Sequence, residues 1–256
     1  MTDTLPYSLA PRDASFRGQV VLITGSSSGI GAATAHYFAG SGATVVVNSA
    51  RSVGAGQALA AELPDASYVQ ADVADENQAR ALVDTTIERH GRLDVLVNNA
   101  GTTQVIPHAD LEAATPEVWR RIFDVNVVGT WQVTVAAVPH LRSTGHGQVI
   151  NVSSLAGEQP TGSSIPYACS KAAVSHMTRL LANSLGPDIR VNAVAPGLVD
   201  TPWTADWGAV REFVTAHAPL QRSATPEDVA EVILGLARSG YVTGEVVLVD
   251  GGLHLR

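Results

Sequence analysis

Apolar residues along this chain fall in short unbroken runs: V-V-L-I at 20–23, V-V-V at 45–47, L-V at 96–97, V-I at 149–150 and V-V-L-V at 246–249. Continuous runs, as opposed to an in-out alternation, mark strands covered on both faces, which is how parallel sheets look in sequence. Strands are predicted at 20–24, 44–48, 67–70, 93–97, 148–152, 189–194 and 246–249. Between them the apolar spacing is helical, at 30–38, around 55–63, at 76–90, from 116 to about 141, from 170 to about 185 and at 226–236. Gly40, Gly42 and Gly91 supply helix stops, and Thr225 before Pro226 supplies a start. Strand and helix in repeated alternation give a doubly wound α/β fold. No linker, repeat or composition break interrupts residues 18–256, which read as a single α/β domain with a central parallel sheet of about seven strands. Residues 1–17, with Asp3, Pro6, Pro11 and Asp13, read as a flexible polar tail.

Composition narrows the partners. The formal net charge is −8 and no Lys/Arg cluster is present, which argues against nucleic acid or an anionic membrane. No apolar stretch reaches the roughly 18 residues needed to span a bilayer, and the amino terminus lacks a signal-peptide core. A cytoplasmic protein is expected. The one cysteine, Cys169, cannot form an internal disulfide and is expected to be a small buried packing residue.

The basic residues carry the sharpest signal. Fifteen of the sixteen are Arg, and Lys171 is the only lysine. Arg is a permanently charged planar fork, whereas Lys is a point charge whose pKa moves with its surroundings. Tyr167 lies four residues earlier, on the same face if the segment is helical. The pair reads either as chemistry that needs a movable ammonium or as a surface lysine beside a half-buried tyrosine.

Two turns could hold a phosphate-bearing ligand. The loop after the first strand is T-G-S-S-S-G-I-G, with Gly25, Ser27, Ser28, Gly29, Ile30 and Gly31. Its glycines let a backbone approach a pyrophosphate at a helix start, or serve a tight turn alone. After the second strand come Ser49, Ala50, Arg51 and Ser52, with no acid to meet the ribose 2′-hydroxyl of NAD. Arg51 could pair with a 2′-phosphate, assisted by Ser49, which favours NADP(H) over NAD(H); the alternative is a solvated surface charge. Asn98-Asn99-Ala100-Gly101 ends the fourth strand at the carboxyl edge, where open α/β sheets bind ligands.

Taken together, T-G-S-S-S-G-I-G at 24–31, N-N-A-G at 98–101, Ser154, Y-A-C-S-K at 167–171 and P-G-L-V-D-T-P at 196–202 resemble the short-chain dehydrogenase/reductase family. The likeness runs from Gln19 to Leu253 and is greatest to the single-domain members that include the 3-oxoacyl carrier-protein reductases. It implies a Rossmann-like fold and hydride transfer between a nicotinamide and a carbonyl or secondary alcohol. It makes Tyr167 the acid/base, Lys171 its partner, Ser154 the donor to the substrate oxygen and Asn126 the fourth member. Asn126 is expected to distort its helix locally and hold a water.

The same resemblance places Asp72 and Val73 at adenine, Asn99, Ala100 and Gly101 at the adenosine ribose and backbone, and Pro196, Gly197, Val199 and Thr201 at the nicotinamide end. Asp72 reads equally well as a helix-start residue, and Asn126 as a buried polar packing residue. Residues 203–222 take the place of the substrate lid, where Trp203, Trp207 and Phe213 line a pocket or pack a short helix, with 104–108 and 158–164 completing the wall. The expected substrate is a small or medium apolar carbonyl compound, the expected assembly a homotetramer, and no metal is required. A non-catalytic nicotinamide sensor and an epimerase or dehydratase are the other readings the fold allows.

Overall fold

The computed structural model describes residues 15–256. Seven strands form one all-parallel sheet: β1 (Val20–Ile23), β2 (Thr44–Ser49), β3 (Ala66–Gln70), β4 (Val95–Asn98), β5 (Gly147–Val152), β6 (Ile189–Pro196) and β7 (Val246–Val249). Their spatial order is β3-β2-β1-β4-β5-β6-β7. The order reverses between β1 and β4, so a crevice opens at their carboxyl ends, the position where doubly wound sheets take ligands.

The unbroken apolar runs follow from this arrangement. On β1, Val21 and Ile23 enter one core layer while Val20 and Leu22 enter the other. Each is buried, so neither face has room for a polar residue. The first layer is covered by α1 (Gly29–Gly40) and α8 (Pro226–Arg238), whose Phe38, Val229 and Ile233 it contains. The second is covered by α3 (Glu76–His90), α5 (Thr130–Ser143) and α6 (Ile165–Leu185), through Leu82, Val133 and Leu181. The remaining helices are α2 (Val53–Glu62), α4 (Pro116–Phe123) and α7 (Gly208–His217).

The helix predicted from 116 to about 141 carries the local distortion expected at Asn126, as a π-helical turn at Asp124–Gly129. Three sequence expectations change. Helix α6 starts at Ile165 rather than 170, because Ser164 caps it by accepting from the Tyr167 N–H and Pro166 fits the first turn. Cys169 is exposed. The buried stripe of α6 runs through Ser170, Lys171, Val174, Ser175 and Thr178, and position 169 falls one step off it. The predicted 1–17 tail lies mostly outside the described residues, but Phe16 is buried and packs edge-on against Phe38 at 4.9 Å.

Candidate active site

Three pieces of backbone meet at the crevice. The glycine loop leaves β1, the N-N-A-G turn leaves β4, and the chain after β5 leads through Ser154 toward α6. They enclose a cavity of about 1240 Å³.

The loop is fixed from beneath by polar side chains. Asn48 accepts from the Gly25 N–H at 3.2 Å and donates to the carbonyls of Val69 and Ala71. Asn99 donates to the carbonyls of Thr24 and Gly25, at 3.0 and 2.9 Å, while the Thr24 hydroxyl accepts from the N–H groups of Asn99 and Ala100. Asn98 is spent on the interior, donating to Thr134 and Asn151, each at 2.9 Å.

Within this bracing, a side chain at Gly31 would lie 2.6 Å from Asn99 Nδ2 and 2.7 Å from the Ser26 Cα; at Gly25, with φ of 62°, it would lie 2.8 Å from the Ala100 Cα. Ser28 precedes α1 but makes no side-chain cap bond, so the first-turn N–H groups keep their hydrogen-bonding capacity for a ligand. A close-approach loop at an uncapped helix start fits a pyrophosphate. The residues present therefore fit a nicotinamide dinucleotide.

Of the catalytic and cofactor-binding residues expected from the sequence, all line the cavity except Gly31 and Asn126. Gly31 lies behind the loop as a close-packing position. Arg51 lines the same end, while the Ser49 hydroxyl is engaged with the Tyr68 hydroxyl at 2.9 Å. Asp72 makes a local turn, accepting from the Ala74 N–H, and the N-cap of α3 is Asp75, which holds the Gln78 N–H.

At the other end, α6 carries Tyr167 and Lys171 one turn apart. Lys171 is 4% exposed, donates to the Val152 carbonyl at 2.8 Å and stands 5.8 Å from the centre of the Tyr167 ring. Burial lowers the Lys171 pKa to about 8, leaving it mostly protonated at neutral pH. Burial raises that of the Tyr167 phenol, and a hydrogen bond with Ser154 pulls in the opposite direction. Of these two effects on the phenol, desolvation is the larger. Ser154 also accepts from the Ala156 N–H, which orients its hydroxyl.

Asn126 is held on three sides. Its Oδ1 accepts from the Thr102 N–H at 2.7 Å, and its Nδ2 donates to the Thr102 carbonyl and the Ser170 hydroxyl. Both amide hydrogens are thus committed, so on the side chain an added water can meet only the second lone pair of Oδ1. Ser170 in turn donates to the Tyr167 carbonyl at 2.7 Å, so Asn126 is tied to the turn of α6 that bears the tyrosine. Thr24, Asn48, Thr102 and Ser170 escaped the sequence analysis. Only Thr24 and Ser170, sitting inside recognised motifs, offered a signal there.

The lid carries the rest of the wall. Trp203, Trp207 and Phe213 all line the cavity, as do parts of the 104–108 and 158–164 segments, which are joined by the Ile106 N–H to Ser163 carbonyl bond. Among the described residues no His/Cys/Asp/Glu group could hold a metal, and no helix is long and apolar enough to cross a membrane.

An α/β crevice with a glycine cradle at one end and Ser154, Tyr167 and Lys171 at the other defines a nicotinamide-dependent oxidoreductase site, and the chain belongs to the short-chain dehydrogenase/reductase family. A family model described as enoyl-(acyl carrier protein) reductase matches residues 25–254. The chain is 62% identical over 239 residues to ketoacyl reductase 2, as it is named, of the granaticin polyketide synthase of Streptomyces violaceoruber, covering 92% of this chain and 96% of that one. It is 42% identical over 244 residues to a 3-oxoacyl-[acyl-carrier-protein] reductase of Thermotoga maritima, covering 92% and 98%. A solved gluconate 5-dehydrogenase from Burkholderia cenocepacia, in complex with NADP and tartrate, superposes with a TM-score of 0.87 at 31% identity, covering 95% and 98%.

Proposed function

We propose that the protein is a ketoacyl reductase: it reduces the ketone of a ketoacyl compound to a secondary alcohol, with NADPH as the preferred cofactor. The observation that carries this reading is the meeting of Ser154, Tyr167 and Lys171 in the cavity that also contains the glycine loop. When bound, the nicotinamide supplies the hydride.

The side chains supply the proton and the positioning. Tyr167, its phenol pKa raised by burial, is protonated at neutral pH and so is in the form needed to donate. The Ser154 hydroxyl, hydrogen-bonded to that phenol, is placed to hold the ketone oxygen. As Tyr167 gives up its proton, the buried Lys171 ammonium offsets the charge that develops on the phenol oxygen. Proton transfer of this kind contributes about a hundred- to ten-thousand-fold, with positioning supplying much of the remainder. Gly25, Gly29 and the α1 N-terminus would hold the pyrophosphate, Arg51 the 2′-phosphate, and Lys171 with Pro196, Gly197, Val199 and Thr201 the nicotinamide side.

Granaticin reductase and the Thermotoga enzyme, both named for ketoacyl substrates, support the substrate class. The NADP in the gluconate dehydrogenase complex, together with Arg51, supports the cofactor. The test is a cofactor-oxidation assay on acetoacetyl thioesters, ketones and secondary alcohols, with NADPH and NADH in parallel. The expected result is fastest turnover of a ketoacyl thioester with NADPH; tight cofactor binding with no turnover of any compound would overturn the reading.

A further inference from the structure

The lid places one aromatic residue where it must influence which carbonyl compounds reach Tyr167. The Trp203 ring stands edge-on to Tyr167, with centroids 6.3 Å apart and planes at 74°. Its outer carbon, Cη2, lies 3.7 Å from the point a side chain on Gly101 would occupy. The indole therefore reaches from the lid to the N-N-A-G turn, closing one side of the approach to the tyrosine. It is nevertheless 46% exposed and lines the cavity, so part of its surface is open to a ligand.

The turn that carries Trp203 is pinned. Thr201 and Thr204 form a capping box around it, and Thr204 also donates to the Val199 carbonyl. Arg211 on α7 donates to the Thr204 carbonyl at 3.2 Å while pairing with Asp200 at 2.8 Å. An indole on a braced turn keeps its position when a ligand arrives, so its flat face acts as a fixed wall. Phe213 differs: it is 54% exposed and stacked on His217 within its own helix.

We propose that Trp203 is a specificity-determining residue whose ring face forms a flat slot beside Tyr167, selecting ketoacyl compounds with planar or fused-ring bodies over branched acyclic ones. A planar ligand can lie along an open indole face and gain stacking contacts, whereas a branched one is held off it. This proposal rests on the carbonyl-reduction reading above.

The experiment compares reduction of α-tetralone, a fused-ring ketone, with that of diisobutyl ketone, in the wild type, Trp203→Ala, Trp203→Phe and the control Trp131→Ala, at an exposed α5 position outside the cavity lining. Thermal unfolding and NADPH binding are recorded for each. The expected result is that Trp203→Ala lowers the kcat/KM preference for α-tetralone about tenfold, the scale of one lost aromatic contact, with Trp203→Phe in between. Trp131→Ala should leave the preference within about twofold of wild type. A preference unchanged in a folded, NADPH-binding Trp203→Ala protein overturns the slot. If the wild type reduces neither ketone, carbonyl reduction itself fails for these compounds, and the slot is judged on binding. Quenching of indole emission by α-tetralone that is lost in Trp203→Phe but kept in Trp131→Ala supports it, and equal quenching in both variants overturns it.

Discussion

At the glycine-loop end of the cavity the walls are backbone, while at the lid end they are side chains standing half in solvent. Gly25 and Gly31 have main-chain atoms within 2.8 Å of where a Cβ would sit, and Thr24, Asn48 and Asn99 hold that main chain by hydrogen bonds. Across the cavity, Trp203, Val210 and Phe213 are between 45% and 54% exposed, on a segment tied down by Arg211 and two threonines. A site that must always accept the same cofactor can be built from fixed backbone. One that distinguishes substrates is more readily built from side chains, which change without disturbing the sheet. Tyr167 and Lys171 lie between the two regimes, on a helix whose first turn is anchored through Ser170 and Asn126.

The contrast can be broken first at its midpoint. Lys171→Arg keeps the charge but places a planar fork where a buried ammonium donates to the Val152 carbonyl, and kcat is expected to fall about a thousandfold. Steady-state kinetics at saturating NADPH checks this, and near-normal turnover would show that the lone lysine is incidental. At the backbone end, Gly31→Ala forces main-chain movement and should weaken NADPH binding about a hundredfold, the upper end of an overpacking cost, as read by fluorescence titration. Arg51→Ala should raise the KM for NADPH about tenfold while leaving that for NADH unchanged, which separates a 2′-phosphate contact from a surface charge.

The smallest effect lies away from the cavity, at the start of α8. Asp228 completes a capping box with Thr225 and pairs with Arg222, whose hydrogen bond holds the Asp228 carboxyl far below the usual carboxylate range. A carboxyl depressed in the folded state stabilises it above the unfolded-state pKa of about 3.9, and that contribution is lost as pH falls. Asp228→Ala should therefore cost about 1 kcal/mol at neutral pH. In thermal melts the gap from wild type should close as the pH drops below about 4; a gap that persists would place the effect in packing.

The same contrast explains what could be read from the sequence. The strands were legible because burial on both faces leaves unbroken apolar runs, and the cofactor end because only glycine tolerates its close approaches. Tyr167 and Lys171 stood out by residue type and spacing. Cys169 was misplaced because a free cysteine is usually buried and the helix was started at 170, whereas α6 includes 169 and turns its inward stripe through Ser170, Ser175 and Thr178. The supports contributed by Asn48 and Thr102 depend on contacts between segments 23 or 24 residues apart, which no local pattern carries. Whether Trp203 packed inward or faced a ligand depended on where the lid folds back, and only its distances to Tyr167 and Gly101 decide that.

The proposed chemistry depends on the Tyr167 phenol donating the proton, and Tyr167→Phe removes that hydroxyl while keeping the ring that packs against Trp203. NADPH binding by fluorescence titration and reduction of an acetoacetyl thioester, measured on the same preparation, give the most direct test. Binding within about twofold of wild type, with turnover lowered by about a thousandfold or more, is the predicted result. Turnover near the wild-type rate with binding intact would contradict it and place the proton donor elsewhere.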